Sequence, residues 1–119
     1  MINLGSRRLR RLHDADFYHQ LHTSHGPALV IFTSSGCASC RAWKVILREY
    51  LGKHPRLQVF EVDAHESMAL ANEYEVFHLP SLFLFQDGQY HCAIHCEANV
   101  EKLHSTIEQA LQAPAEEEP

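Results

Sequence analysis

Ala28-Leu-Val-Ile-Phe-Thr33 runs through Ser34-Ser-Gly36 directly into Cys37-Ala-Ser-Cys40. An uninterrupted apolar run of this length is typical of a strand that is covered on both faces of a sheet. The serines and the glycine that follow favour a turn. Beyond them, the apolar spacing from Trp43 through Leu47 predicts a helix. We therefore expect the two cysteines in the first turn of a helix that follows a buried strand.

This placement makes the two thiols a candidate reactive pair. Residues three apart on a helix share a face, with Cβ atoms about 5–6 Å apart, which is close to the separation that a disulfide needs. A sulfur in the first turn also faces unpaired backbone N–H groups and the positive end of the helix dipole, and both favour thiolate over thiol. We therefore expect Cys37 to be the nucleophile, and the pair with Cys40 to cycle between dithiol and disulfide with little backbone movement.

The rest of the chain alternates between helical and strand patterns. The predicted elements are a helix at Leu12–Ser24 capped by Asp14, the strand Ala28–Thr33, the cysteine helix to about Tyr50 closed by Gly52, a strand at Leu57–Asp63, a helix at Glu66–Glu73 with Met68, Leu70 and Ala71 as its apolar members, strands at Ser81–Phe85 and Gln89–His95, and a helix after Asn99. A weak strand before the first helix is an open alternative.

These elements predict an α/β fold. Strand-helix-strand units imply right-handed crossovers and parallel pairing, and Asp87-Gly88 is a hairpin turn that adds an antiparallel edge. We expect a central mixed sheet of four or five strands with helices on both faces. Residues 1–112 then form one domain, and residues 113–119 form an acidic tail that is expected to be disordered.

Composition narrows the class of partner. The chain has 119 residues, and its net charge of -5 gives no electrostatic reason to expect nucleic acid. No apolar run approaches the ~18–20 residues that a membrane span requires, and the opening residues lack an apolar signal core. We predict a cytoplasmic protein, in which cysteines are more often catalytic or metal-binding than structural. The basic stretch Arg7–Arg11 is either a solvated segment or a binding site.

Several motifs occur together in the order expected of one known family. They are Cys37-Ala-Ser-Cys40 after the apolar strand, Val62-Asp63 at the end of the next strand, Leu79-Pro80-Ser81 at the start of the fourth, and Asp87-Gly88 at the hairpin. On these motifs the chain resembles the thioredoxin family over roughly Asp14 to Leu111. A lone C-x-x-C motif is weak evidence for this family, because zinc sites also use it. Its combination with a later apolar-Pro motif is specific.

The resemblance implies a thioredoxin fold and a function. It implies a thiol-disulfide oxidoreductase that exchanges the Cys37/Cys40 pair with protein substrates in cell redox homeostasis. It also implies a cis peptide bond before Pro80, with the Leu79 backbone turned toward an extended substrate chain. No cofactor is expected beyond the redox-active disulfide, and no metal. The expected partners are disulfide-containing or dithiol proteins, with a thioredoxin-type reductase as an open addition.

The same resemblance implies a substrate groove that departs from the family pattern. Its expected lining is Gly36, Ala38, Ser39, His78, Leu79, Pro80 and Cys96. Gly36 replaces the usual tryptophan, so one wall of the groove is missing. Ala38-Ser39 replaces Gly-Pro, which is expected to alter the redox potential. His78 and Cys96 replace glycines on the rim, and a protonated His78 would stabilise the Cys37 thiolate.

The resemblance also implies a candidate for the group that accepts the proton of Cys40. The buried aspartate that many family members use corresponds to Ile31, and its lysine partner corresponds to Glu61. Glu61 is therefore a candidate acceptor for the proton of Cys40. If it is buried, its pKa would be raised, so that it could act as a general base near neutrality. The alternative is a solvated glutamate at a strand edge.

The last strand carries two further cysteines. Tyr90, Cys92, Ile94 and Cys96 are expected on one face by strand alternation, and Cys92 fits a small buried apolar residue. Cys96 is an inert rim residue, a resolving thiol, or a metal ligand with Cys37, Cys40 and His78 in a Cys₃His set. Two other functions therefore stay open beside the oxidoreductase. They are a thiol-based metal-binding protein and a redox-inactive partner-binding module on a thioredoxin scaffold.

Overall fold

The computed structural model describes residues 9–119. Arg7, Arg8 and the start of the predicted domain lie outside the described residues. In chain order the elements are β1 (Arg10–Leu12), α1 (Phe17–His22), β2 (Pro27–Thr33), α2 (Ala38–Lys53), β3 (Gln58–Asp63), α3 (Met68–Glu73), β4 (Ser81–Gln86), β5 (Gln89–Ile94) and α4 (Val100–Gln112).

The five strands form one mixed sheet in the order β1-β3-β2-β4-β5. β3 pairs in parallel with both β2 and β1, whereas β4 and β5 are added in antiparallel orientation. The helix α2 joins the parallel strands β2 and β3, as the strand-helix-strand pattern predicts. The predicted α/β class is confirmed, and β1 settles the open alternative of a strand before the first helix.

Two helices cover each face of the sheet. Leu29 and Ile31 of β2 pack with the buried faces of α2 and α4, and we call this the α2/α4 core. Val30 and Phe32 pack with α1 and α3 in a second cluster, the α1/α3 core. Successive side chains of a strand point to opposite faces, so the central strand feeds both cores. Residues 28–33 are accordingly all buried.

The first helix is shorter than predicted. Leu12 belongs to β1, where it is paired with Val62 of β3. The helix α1 begins only after Asp16, whose carboxylate accepts a hydrogen bond from the His13 N–H at 2.8 Å. Asp14 lies in the preceding turn and is not the cap. Apolar spacing extended the predicted helix too far because Leu12 is buried by strand pairing, a contact that local periodicity does not contain.

Two other helix predictions are wrong in detail. Gly52 does not close α2, because the helix continues to Lys53 and the N–H of His54 donates to the Tyr50 carbonyl at 2.8 Å. Met68 is not an apolar core member of α3, since it is 63% exposed. Tyr74, just after the helix, is buried instead and contributes to the α1/α3 core.

The hairpin of β4 and β5 contains a bulge. Its turn is the predicted one, with positive φ angles of 51° at Asp87 and 80° at Gly88. Leu84 lies opposite Cys92, but Phe85 lies opposite Tyr90, so one extra residue interrupts the pairing. Tyr90 therefore packs against the α1/α3 core, whereas Cys92 belongs to the α2/α4 core. The prediction that Tyr90 shares a face with Cys92 is wrong, because the extra residue reverses the alternation.

The C-terminal part of the chain packs on the edge of the sheet. Asn99 caps α4 as predicted, its side chain accepting a hydrogen bond from the Lys102 N–H at 3.0 Å. Residues 114–119 have no helix or strand, but the Glu116 N–H donates to the His91 carbonyl at 2.7 Å. None of the helices within residues 9–119 has both the length and the apolar character needed to cross a membrane.

Candidate active site

The two cysteines of the C-x-x-C motif lie at the junction between β2 and α2. Cys37 is the N-cap residue of α2, and its sulfur accepts a hydrogen bond from the Cys40 N–H at 3.1 Å. A disulfide joins the two residues, whose Cα atoms are 5.2 Å apart, within the usual range for such bonds. The first sulfur thus has the amide contact that the motif predicts, and the second sulfur is its partner.

Access to the two sulfurs differs. Cys37 is half-buried and is flanked by the exposed residues Gly36 and Ala38, whereas Cys40 is only 1% exposed. Gly36 has a φ of +78°, a conformation that favours glycine. Open space surrounds its Cα, with no atom within 4 Å of the place where a Cβ would stand. Of the two cysteines, Cys37 is therefore the one that a substrate can approach from outside.

A polar cavity of about 660 Å³ opens beside Cys40. We call it the cysteine cavity. Its lining combines the turn before Cys37 with charged side chains from α2, β1 and β3. The residues that line it include Gly36, Cys40, Arg41, Lys44, Glu61 and His65. Cys40 therefore forms part of the wall of a cavity with charged lining residues while staying almost fully buried.

Glu61 is buried under this cavity at 6% exposure. Its carboxylate accepts hydrogen bonds from the Thr33 hydroxyl at 2.7 Å and from the Lys44 ammonium at 3.0 Å, and Arg11 lies 3.5 Å away. Burial by itself would raise the pKa of Glu61, but the hydrogen bonds from Thr33 and Lys44 and the nearby cations outweigh it and hold the pKa below its ordinary value.

Both sequence-based interpretations of Glu61 are therefore wrong in part. The side chain is not solvated at a strand edge, and its pKa is lowered rather than raised. The deciding residue is Lys44, which the sequence-based prediction of the site did not include. Lys44 follows Cys40 by one helical turn, a spacing that places the two side chains on one face of α2. That spacing was the available signal.

The loop before β4 carries the proline that the sequence predicts to be cis. The peptide bond between Leu79 and Pro80 is cis. The Ser81 hydroxyl donates to the His78 carbonyl at 2.8 Å, which ties the two ends of the loop together. His78, Pro80 and Ser81 line a cavity of about 200 Å³, which we call the proline cavity. Leu79 is partly buried against the α1/α3 core.

The other two cysteines have a different environment. Cys92 is buried, as predicted, and Cys96 is half-buried against the α2/α4 core. Thr106 of α4 lies beside the Cys96 thiol. Burial raises the pKa of both thiols, which disfavours the thiolate. Cys96 lines neither the cysteine cavity nor the proline cavity, and this favours the inert interpretation over the resolving thiol.

The described part of the chain contains no ligand set for a metal centre. No group of three or more His, Cys, Asp or Glu side chains within residues 9–119 is arranged to hold a metal ion. The suggested Cys₃His set is not assembled, because Cys37 and Cys40 are joined to each other and Cys96 lines neither the cysteine cavity nor the proline cavity. The described residues therefore give the metal-binding alternative no supporting ligand set while Cys37 and Cys40 are joined.

Comparison with known proteins decides the family. The thioredoxin family model matches residues 8–109 of the chain. The chain belongs to the thioredoxin family. A thioredoxin-like protein of Synechocystis is 34% identical over 97 residues, which cover 80% of this chain and 89% of that protein. A bifunctional thioredoxin reductase/thioredoxin of Mycobacterium leprae is 31% identical over 77 residues, covering 64% of this chain and 17% of that protein.

A solved structure supports the same fold. Mitochondrial thioredoxin 3 from Saccharomyces cerevisiae, in its oxidized form, superimposes with a TM-score of 0.73 at 24% identity, over 85% of this chain and 94% of that one. Together with the Cys37–Cys40 disulfide, membership of the family makes the protein a thiol-disulfide oxidoreductase. The predicted fold and enzyme class are confirmed. Members of this family act on disulfide substrates and with reductases.

Proposed function

We propose that Cys37 and Cys40 exchange a disulfide with protein substrates through a mixed disulfide. The Cys37 thiolate attacks one sulfur of the substrate disulfide, so that a bond from Cys37 to the substrate forms and the substrate sulfur–sulfur bond breaks. Cys40, after losing its proton, then attacks the Cys37 sulfur: the Cys37–Cys40 disulfide forms, the bond from Cys37 to the substrate breaks, and the second substrate sulfur leaves as a thiolate that takes up a proton. Two electrons pass from the protein dithiol to the substrate, and the reverse sequence oxidises a dithiol.

One observation carries the assignment of roles. The Cys37 sulfur caps α2 and accepts the Cys40 N–H at 3.1 Å, while Cys40 is buried. An amide donor and the helix dipole stabilise a thiolate at Cys37. Cys37 is also the more accessible of the two, so it meets the substrate first. Cys40 is held within bonding distance to finish the exchange.

The proton of Cys40 has a candidate acceptor of limited strength. Glu61 is a buried carboxylate that lines the cysteine cavity together with Cys40. Its ion pair with Lys44 makes it a weaker base than a glutamate with a raised pKa would be. We therefore propose that proton transfer from Cys40 to Glu61 contributes only a small part of the rate of disulfide exchange. The Lys44 ammonium on the same cavity supports the thiolate form of Cys40.

The proposed substrate groove has two sides. Gly36, Ala38 and Ser39 are exposed on the side of the cysteines, and His78 and Pro80 stand on the side of the proline cavity. Leu79 offers its backbone between them. Cys96 has no support as a groove residue, because it lines neither the cysteine cavity nor the proline cavity. The proposed partners are protein disulfides, dithiol proteins and a thioredoxin-type reductase, with no cofactor beyond the disulfide.

The proposed setting is the cytoplasm, in cell redox homeostasis. Its support is the pattern of cysteine use, with Cys92 and Cys96 kept as free thiols, which a reducing compartment maintains.

A trapping experiment tests the order of attack. We expect Cys40→Ser to accumulate a covalent complex between Cys37 and a disulfide-bonded protein such as insulin, because the second attack is lost. Mass spectrometry under non-reducing conditions would detect the complex. The double variant Cys37→Ser/Cys40→Ser is the control and forms none. A complex formed through any cysteine other than Cys37 contradicts the proposal.

A further inference from the structure

We propose that Glu118 is a positioning residue for protein substrates, because its carboxylate holds Tyr74 in the wall of the proline cavity. Glu118 belongs to residues 114–119, which we call the strap. The inference rests on the proposed function, since the proline cavity borders the groove that a substrate would occupy. Neither the strap nor Tyr74 belongs to the groove that the sequence analysis predicted.

The strap is fastened to the edge of the sheet at its first end. β5 is an outer strand of the sheet, and His91 is the extra residue at its bulge. The His91 carbonyl accepts a hydrogen bond from the Glu116 N–H at 2.7 Å. The ring nitrogen Nε2 of His91 lies 2.5 Å from the Ala110 carbonyl of α4. His91 thus connects the strap with the end of the last helix.

The other end of the strap reaches the opposite face of the sheet. The Tyr74 hydroxyl donates a hydrogen bond to the Glu118 carboxylate at 2.7 Å. Tyr74 belongs to the α1/α3 core, whereas the helix α4 that precedes the strap packs in the α2/α4 core. Burial raises the pKa of Tyr74 and the hydrogen bond to Glu118 raises it further, so the hydroxyl stays protonated and able to donate. The strap therefore joins the two helical layers around β5.

Tyr74 connects this contact with the substrate groove. It is 2% exposed, and it lines the proline cavity together with His78 and Pro80. The next residue, Glu75, has a positive φ of 54°, and its N–H donates to the Asn72 carbonyl at 3.1 Å. The chain therefore turns sharply from α3 into the loop before β4 at this point. The position of Tyr74 sets where that loop begins.

The geometry gives the direction of the effect. Within residues 9–119, the lining of the proline cavity includes no residue of the strap, so the strap does not take the place of a substrate there. It acts through Tyr74. A wall that is held in place before the substrate arrives lowers the ordering cost of binding, and apparent affinity falls in proportion when the competent arrangement is less populated. Loss of the Glu118 contact should therefore weaken substrate binding without changing the exchange step.

Single-turnover kinetics test the proposal. The prereduced protein is mixed with increasing concentrations of insulin, and acid quenching, alkylation and mass spectrometry give the half-saturating concentration and the limiting rate of oxidation. We expect Glu118→Ala to raise the half-saturating concentration about fivefold, the size of one hydrogen bond, with the limiting rate within about twofold. Tyr74→Phe should have the same effect, because it removes the donor of the same bond. The double variant should not exceed either single variant, since both remove one shared contact.

Two further variants assign the effect to this contact. Glu118→Gln keeps an acceptor oxygen without the charge, so its half-saturating concentration should stay within about threefold of the wild-type value. Glu117→Ala is the matched control, because Glu117 carries the same charge and is exposed beside Glu118, and it should stay within about 1.5-fold. Hydrogen exchange gives a readout independent of turnover. The amides of Glu75 and Val76 should exchange faster in Glu118→Ala and at the wild-type rate in Glu117→Ala.

The outcomes separate this inference from the function on which it rests. An unchanged half-saturating concentration in Glu118→Ala, unchanged amide exchange at Glu75 and Val76, or an equal effect of Glu117→Ala overturns the positioning role and leaves the oxidoreductase assignment intact. An equal loss on the small disulfide 5,5′-dithiobis(2-nitrobenzoate) also overturns it, because Glu118 would then act on the cysteines themselves. A wild-type protein that does not reduce insulin refutes the proposed function and the positioning role together.

Discussion

The two pairs of cysteines show how strongly surroundings determine the reactivity of one side chain. Cys37 and Cys40 lie at the start of α2, joined by a disulfide and next to an open cavity of about 660 Å³. Cys92 and Cys96 lie on and just after β5, packed against the α2/α4 core as free thiols. The first pair is redox-active, and the second contributes to packing.

Charge and backbone account for the difference. Near the first pair, the Cys40 N–H contacts the Cys37 sulfur, and Lys44 and Arg41 line the same cavity as Cys40. Near the second pair, burial raises the pKa of both thiols, and the carboxylates of Glu116 and Glu97 raise it further. One region thus stabilises a negatively charged sulfur, and the other opposes it.

The largest expected effect comes from removing one thiol from each pair. Cys37→Ser should reduce the reduction of a protein disulfide to the uncatalysed background, because no other thiol of the site begins the exchange. Cys96→Ser should leave the rate within about twofold. A steady-state assay with dithiothreitol as electron donor measures both. If Cys37→Ser retained turnover or Cys96→Ser abolished it, the contrast between the two regions would be wrong.

Alkylation rates sharpen the contrast. In the reduced protein at pH 7, Cys37 should react with iodoacetamide at least about tenfold faster than Cys96, because its thiolate is stabilised by the helix and that of Cys96 is opposed by burial. The rate at Cys96 should keep rising above pH 8.5, about the value of an unperturbed thiol. Peptide mass spectrometry resolves the two sites. Equal alkylation rates at Cys37 and Cys96, with the same midpoint in pH, would favour the redox-inactive partner-binding module.

A stability measurement tests the packing role of the second pair. Cys92→Ser should lower the free energy of unfolding by about 1–3 kcal/mol, because it buries a hydroxyl in an apolar site. The half-buried Cys96 is the matched position, and Cys96→Ser should lower it less. Urea titration of the reduced proteins gives both values. A destabilisation at Cys96 larger than that at Cys92 would contradict the burial that distinguishes them.

The smallest expected effect on turnover is at Glu61. Glu61→Gln should lower kcat by less than about tenfold, below the ~10²–10⁴ of a well-matched general base, because the ion pair with Lys44 weakens its basicity. A loss of a hundredfold or more in kcat would show that Glu61 is the main proton acceptor. Thr33→Val, which removes a neutral partner, is the control for altered geometry.

Stability at low pH gives a second test of Glu61, because its lowered pKa fixes the direction of the expected change. Because the pKa of Glu61 is lowered in the folded state, its stabilisation is complete above its unfolded value near 4.5 and is lost as the pH falls through the folded value. The urea midpoint should therefore fall less between pH 7 and pH 3 in Glu61→Gln than in the wild-type protein. An unchanged pH dependence in the variant would show that the pKa of Glu61 is not lowered in the folded protein.

Much of the fold was predictable because its signals are local. The apolar run Ala28–Thr33, the turn at Gly36 and the Asp87-Gly88 hairpin each depend on a few neighbouring residues, and each is present as predicted. The predicted helix at Leu12–Ser24 was too long because burial of Leu12 depends on pairing with Val62. Tyr90 was assigned to the wrong face because a bulge is set by the partner strand.

The candidate site divides in the same way. The reactive pair followed from the spacing of Cys37 and Cys40 at a strand-to-helix junction. The ionisation of Glu61 and the packing of Cys96 did not, since they depend on Lys44 and on the α2/α4 core, which come from other elements. The contact between Glu118 and Tyr74 also required the folded chain.

By itself, then, the sequence determined the family, the order of elements and the two sulfurs that react, because periodicity, turn chemistry and motif spacing are properties of neighbouring residues. Tertiary structure alone decided which thiols are accessible and which carboxylate is ionised. Those properties depend on charges and atoms that lie within a few ångströms in space but far apart along the chain.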